Sequence, residues 1–313
     1  MRPALTTVGS LPPFPGSSDD VLRKAVDLQR AHGSELLTDG EQRGDMLSYY
    51  LELPGIAEGR GVPRVVDRIR PMEDPTRFAK VRDLDRVRKL YPEARFKVSL
   101  TGPATFLLAC AAGGAGPAYR SPLDPALHDD LVDALVPIAR EVARRGASLQ
   151  IDEPILSQGM RDYRPALRRL DLLSSEVPRE NASVHVCGGL TRSKVLDALF
   201  GLEHVATLNL AFAGRAETEN RTLLEPKAWE DHGMGLGAGC IDVQVSRADE
   251  VRGPAFVAEL LEYVTRRVGA EHVDHVLPDC GLRATPPDLV APILENLQRG
   301  FEQVFPIVRA QPS

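Results

Sequence analysis

Cysteine is scarce in this chain, with four residues among 313, too few and too dispersed to staple a fold. Reduced thiols and a cytoplasmic location are therefore expected. Long apolar runs are missing as well. No stretch approaches the ~20 residues that span a bilayer, so no membrane partner is expected. The N-terminal Met1-Arg2-Pro3-Ala4-Leu5-Thr6-Thr7 lacks the apolar core of a secretion signal. Positive charge is in deficit: the net charge is −6 and the pI about 5.7, which leaves no basic footprint for nucleic acid. The first βα unit carries no glycine-rich phosphate loop, which argues against a dinucleotide-binding sheet. No linker or break in composition divides the chain.

What the chain does contain is a rhythm. Short apolar strands are expected at residues 5–10, 35–38, 96–101, 148–151, 183–186, 205–210, 234–239 and 273–278. Helical periods or caps lie between them, at residues 21–32, 124–145, 163–173, 193–200, near 225, 247–268 and 287–304. Residues 49–85 are proline-containing and aperiodic, and read as an elaborated loop or helical insertion. Eight strands alternating with helices predict parallel pairing through right-handed crossovers. The expected fold is α/β, a single-domain (β/α)8 TIM barrel over residues 1–313.

In such a barrel the C-terminal strand ends carry the chemistry, and the polar side chains of this chain collect there. Ser10 follows the first strand, Thr38-Asp39-Gly40-Glu41 the second, and Thr101-Gly102-Pro103 the third. Asp152-Glu153-Pro154 follows the fourth, His185-Val186-Cys187 the fifth, and Asp279-Cys280 the eighth. Alternation along a strand puts His185 and Cys187 on one side. With Cys280 they form a soft-to-borderline donor set that suits Zn²⁺ and leaves a coordination position open. The competing reading is a pair of satisfied interior residues, since free cysteine is commonly buried. Cys110 and Cys240 are read as packing residues.

Taken in order, Thr6-Thr7-Val8-Gly9-Ser10, Thr38-Asp39-Gly40-Glu41 with Arg43, Asp45 and Met46, and Leu100-Thr101-Gly102-Pro103 open a longer pattern. Ile151-Asp152-Glu153-Pro154, His185-Val186-Cys187, Gly239-Cys240-Ile241-Asp242-Val243 and Pro278-Asp279-Cys280-Gly281-Leu282 complete it. In this the chain resembles the catalytic C-terminal barrel of the cobalamin-independent methionine synthase family, above all its short single-barrel "core" type. The resemblance implies zinc held by His185, Cys187 and Cys280. It also implies an amino-acid thiol, homocysteine, with its ammonium on Glu41 and Asp152 and its carboxylate near Ser10. A thiol of pKa ~8.5 loses its proton on meeting such a metal and becomes a methyl acceptor.

Two departures stand out. The family has a further glutamate ligand near the end of the sixth strand, and here an ungapped count lands on Asn209 while aligning the following Phe-Ala lands on Ala211. Glu217 or Glu219 in the next loop is a candidate substitute. The second departure is the lack of the N-terminal barrel that helps the large enzymes bind methylfolate, which favours a corrinoid or corrinoid-protein donor over a folate. Tyr119-Arg120-Ser121-Pro122 is a candidate donor surface, and Trp229, the single tryptophan, is read as packing on an outer helix. The alternatives are a zinc-dependent alkyltransferase or lyase acting on another small thiol, and a non-catalytic amino-acid-binding barrel.

Overall fold

The computed structural model describes residues 2–160, 162–191 and 195–306. Its strands form where the sequence alternates. Phe96, Val98 and Leu100 point one way and Lys97, Ser99 and Thr101 the other; Leu149 and Ile151 oppose Gln150 and Asp152; Val184 and Val186 oppose Ser183 and His185; Leu208 and Leu210 oppose Thr207 and Asn209. All of these side chains are buried. Both faces are therefore covered, as in a parallel sheet wrapped by helices.

The strands are β1 (Ala4–Leu5), β2 (Leu36–Leu37), β3 (Arg95–Thr101), β4 (Ser148–Asp152), β5 (Ala182–Val186), β6 (Thr207–Ala211), β7 (Gly235–Gly239) and β8 (Val273–Leu277). They pair in parallel in the order β1-β8-β7-β6-β5-β4-β3-β2. A parallel bridge between Thr6 and Leu36 joins the two outer strands. There the Thr6 Oγ1 hydroxyl donates to the Leu36 carbonyl at 2.6 Å and the Glu35 amide to the Leu5 carbonyl at 2.8 Å. The ring closes as the expected (β/α)8 barrel.

Among the described residues, ten helices pack around the ring: α1 (Ser18–Ala31), α2 (Ala79–Leu90), α3 (Pro103–Cys110), α4 (Pro125–Arg144), α5 (Arg164–Ser174), α6 (Leu196–Leu199), α7 (Glu217–Arg221), α8 (Pro226–His232), α9 (Pro254–Val268) and α10 (Pro287–Val304). Their starts are encoded locally. Ser17 caps α1, and Asp124 caps α4 by accepting the Ala126 amide at 3.1 Å, with Pro125 in the first turn. The inner face of α4 is the apolar stripe Leu127, Leu131, Leu135, Ile138 and Val142. Trp229 on α8 is buried edge-on against Phe200, at 4.9 Å between centroids.

The structure differs from the sequence expectation in several places. The first strand is two residues long, because the chain enters the site loop at once. The segment around residues 49–85 holds 3₁₀ turns at Ser48–Glu52 and Pro75–Arg77 and a small antiparallel hairpin, Ile56–Ala57 with Arg64–Val65. It also holds the start of α2, a barrel helix whose charge-rich sequence hides its period. The helix expected from residue 247 begins only at Pro254, after a separate 3₁₀ turn at Ala248–Glu250, since Gly253-Pro254 suits a helix start rather than an interior. α3 has no counterpart among the expected helices. Of the helix expected at residues 193–200, the structure describes Leu196–Leu199, and residues 192–194 lie outside the described residues.

The barrel interior is polar. Asn209 Nδ2 on β6 donates to Gln150 Oε1 on β4 at 3.1 Å, and His275 Nδ1 on β8 meets Asn209 Oδ1 at 3.1 Å. Bonds that skip a strand in this way run through the middle of the ring. The glycines of β7 provide the room: a Cβ on Gly237 would lie 1.8 Å from Asn209 Oδ1. Asp152 and His185 sit side by side in register above this layer, at the C-terminal ends of β4 and β5.

Candidate metal centre

His185 leaves β5 with its imidazole pointing into the ring, and its Nδ1 lies 3.1 Å from the Asn209 carbonyl. A carbonyl only accepts, so Nδ1 carries the proton and Nε2 presents a lone pair. That Nε2 is buried without a hydrogen-bond partner, which is costly unless something else occupies the lone pair. The sulfurs of Cys187 and Cys280 answer it: the three ligand atoms all lie within 4.8 Å of one another. The Cys280 contact lowers the Cys187 thiol below its ordinary value, against the effect of burial. Burial disfavours a charged His185, but the Cys280 thiol and the Asp152 carboxylate outweigh it and raise the imidazole. Cys110 and Cys240 are buried elsewhere, and burial pushes the Cys110 thiol up to about 12.

The two sulfurs form part of the wall of a cavity of about 540 Å³, which Ala211, Arg215, Glu219 and Gln244 also line. Ala211 faces the cavity beside Cys187 and Cys280, while Asn209 lies two residues deeper, bonded to Gln150 and His275. Glu219 reaches the cavity wall but its Oε1 accepts the Thr191 amide at 2.9 Å, and Glu217 pairs with Arg221 at 3.1 Å. Neither joins the His-Cys-Cys group among the described residues.

The remaining predicted residues, Ser10, Glu41 and Asp152, lie on neighbouring strand ends but do not line this cavity. Ser10 lies against Gly281, where a Cβ would meet its Oγ at 2.3 Å, and its carbonyl accepts the Leu282 amide at 2.9 Å. Glu41 is held in the left-handed region at φ +52, a strained conformation for a residue with a side chain. Its carbonyl accepts from Arg283 at 3.1 Å, tying it to the loop that carries Cys280. Asp152 accepts from Gln150 Nε2 at 2.7 Å. Burial raises its pKa, against the opposing charges of His185, Lys80 and Lys97.

Sequence reasoning missed Lys80. It projects from the first turn of α2, is 2% exposed, and forms an ion pair with Glu41 Oε1. Its ammonium also lies 4.5 Å from the centroid of the Tyr49 ring. Despite burial its pKa is raised, because Glu41, Asp39 and Asp152 all act on it. Glu153, beside Asp152, turns away from the mouth. It accepts the amides of Thr105 at 2.6 Å and Ala104 at 3.3 Å and so caps α3. Tyr119 does not line the cavity. It is buried and bonded to Asp130 and the Ile69 amide, both at 2.8 Å.

Residues 16–300 match the family model described as "Cobalamin-independent synthase, Catalytic domain". The chain belongs to the cobalamin-independent methionine synthase family. Family members are methyltransferases. The chain is 30% identical over 296 residues to a methionine synthase of Methanothermobacter thermautotrophicus, covering 91% of this chain and 90% of that one. It is 27% identical over 282 residues to a methionine synthase of Methanocaldococcus jannaschii, covering 88% and 86%. In fold it is similar to a B12-independent methionine synthase from Shewanella, solved with selenomethionine, at a TM-score of 0.80 and 20% identity over 97% of this chain and 98% of that one.

Proposed function

We propose that this chain transfers a methyl group to the sulfur of homocysteine, giving methionine, and that it does so with Zn²⁺ held by His185, Cys187 and Cys280. The observation that carries the reading is the buried, unpartnered His185 Nε2 facing two cysteine sulfurs on a cavity wall. A buried imidazole lone pair with no nitrogen or oxygen donor, facing two thiols, is a donor set that fits zinc. Two thiolates and a neutral imidazole balance the ion's charge, so Ala211 in place of a carboxylate leaves the set neutral rather than deficient. When bound, zinc lowers the pKa of an incoming thiol and so supplies a nucleophile at neutral pH.

The protein's own residues do the remaining work. The Asn209 carbonyl fixes the imidazole tautomer and ring orientation. Asp152 receives the substrate ammonium, with Glu41 beside it already sharing Oε1 with Lys80. Ser10, whose hydroxyl has no protein partner among the described residues, receives the carboxylate. Held at both polar ends, the acceptor presents its sulfur to the cavity. The sulfur lone pair attacks the methyl carbon and the donor departs with the bonding electrons. A methylcorrinoid, free or protein-bound, is the preferred donor, and a methylfolate the alternative. The cytoplasm is the proposed location; among the described residues no helix is long and apolar enough to cross a membrane.

Growth of a methionine auxotroph carrying this chain, with and without added cobalamin, tests the reading. Rescue that Cys280→Ser abolishes is expected. Rescue retained by Cys280→Ser, or none from the unaltered chain under either condition, contradicts it.

A further inference from the structure

Beneath the site lies a buried lysine that the chemistry above does not use. Lys97 on β3 is 2% exposed, and its ammonium donates to Gln150 Oε1 at 2.7 Å. It forms no ion pair with a carboxylate among the described residues. An ammonium with one neutral acceptor is an expensive thing to bury, and burial pulls its pKa down to about 7. A methionine of similar length would fill the same space more cheaply, so packing alone does not explain a lysine here.

The bonds around Gln150 run in one direction. Lys97 Nζ and Asn209 Nδ2, the latter at 3.1 Å, both donate to the one Gln150 oxygen, so the Gln150 carbonyl faces them. Its amide nitrogen is thereby turned to the opposite side, where it donates to Val8 O and to Asp152 Oδ1, both at 2.7 Å. The other nearby lysine, Lys80, is already paired with Glu41. Among the described residues Lys97 has no carboxylate partner of its own.

We propose that Lys97, acting through Gln150, is a positioning residue that aims the Asp152 carboxylate at the ammonium of the acceptor amino acid. This rests on the assignment of Asp152 to that ammonium. The role is one of specificity: Lys97 touches neither the sulfur nor the metal ligands, and its loss weakens acceptors that carry an α-ammonium while sparing those that lack one.

Calorimetric binding of methionine and of 4-(methylthio)butanoate, the same molecule without the amino group, separates this from a structural role. The unaltered chain is expected to prefer methionine. Lys97→Met is expected to weaken methionine about tenfold and to leave the des-amino ligand within twofold, with an unchanged zinc content. Lys97→Gln keeps a donor to Gln150 without the charge, is expected to fall between, and stands in if Lys97→Met melts early. Equal weakening of both ligands, or an unchanged preference for methionine, overturns the proposal. Asp152→Asn tells the two levels apart. If it keeps the methionine preference, the assignment of Asp152 itself is wrong. If it loses the preference while both Lys97 variants keep it, only the Lys97 link is wrong.

Discussion

Replacing Lys80 by methionine removes the cation from a pocket built of carboxylates. Lys80 is 2% and Glu41 4% exposed, so the pair is desolvated, and Asp39 and Asp152 add to the field that holds the ammonium. Removing one partner of a buried pair costs about 3–5 kcal/mol. Proton uptake by the stranded carboxylate offsets part of this, which leaves a loss of roughly 2–4 kcal/mol. For a chain of this length that corresponds to a fall in Tm of roughly 3–6 °C. The pKa of Lys80 is raised on folding, so its contribution is whole below the unfolded value of about 10.5 and is lost only as pH rises through the folded value. At pH 7 the full effect is present. Calorimetric melting of Lys80→Met, Glu41→Gln and the double variant gives the coupling, expected at roughly 2 kcal/mol. Because the substrate brings an ammonium of its own, saturating methionine should stabilise Lys80→Met by more than it stabilises the unaltered chain. A Lys80→Met protein that melts within ~1 °C of the original, or a double variant no better than the single, would refute the view that Lys80 neutralises Glu41.

Glu153 gives a pH prediction. Burial raises its pKa to about 7, against the amides that favour the charged form. The unfolded chain therefore loses this proton near pH 4.5 while the folded chain still holds it, and stability falls as pH rises between those values. Glu153→Gln should flatten that slope, a relative gain on the order of 3 kcal/mol by pH 7 at ~1.4 kcal/mol per unit; parallel stability curves for the two proteins would count against the assignment. Ala211→Glu should add a carboxylate to the cavity wall beside Cys187 and Cys280 and slow zinc loss to a chelator at least tenfold. Unchanged chelator kinetics would mean that Ala211 does not mark the missing ligand position.

The barrel and the strand-end residues were readable because both are periodic. Alternation along β3 to β6 displays the polar face directly, and His185, Cys187, Asp152 and Cys280 fall at strand ends. The same alternation carries a further signal: Lys97 and Gln150 sit at the polar positions of strands whose other face is wholly apolar, as Asp152 and His185 do. Other features have no local signature. Lys80 meets Glu41 across 39 residues of chain, from a helix whose charge-rich sequence hides its start. Asn209 and Ala211 both face the ring, two residues and some 6–7 Å apart along β6. Counting along the sequence does not show that only Ala211 of the two lines the cavity, because that depends on depth in the barrel. Tyr119 looked like a surface aromatic because its partners, Ile69 and Asp130, lie on other elements.

The central claim is that His185, Cys187 and Cys280 hold a zinc ion that accepts the sulfur of homocysteine. X-ray absorption at the zinc edge, on protein purified without chelator, reads this directly. The predicted coordination is one nitrogen and two sulfurs from the protein, completed by light atoms, and gaining a third sulfur when homocysteine is added. A protein without zinc, or a sulfur count that homocysteine leaves unchanged, would contradict the account.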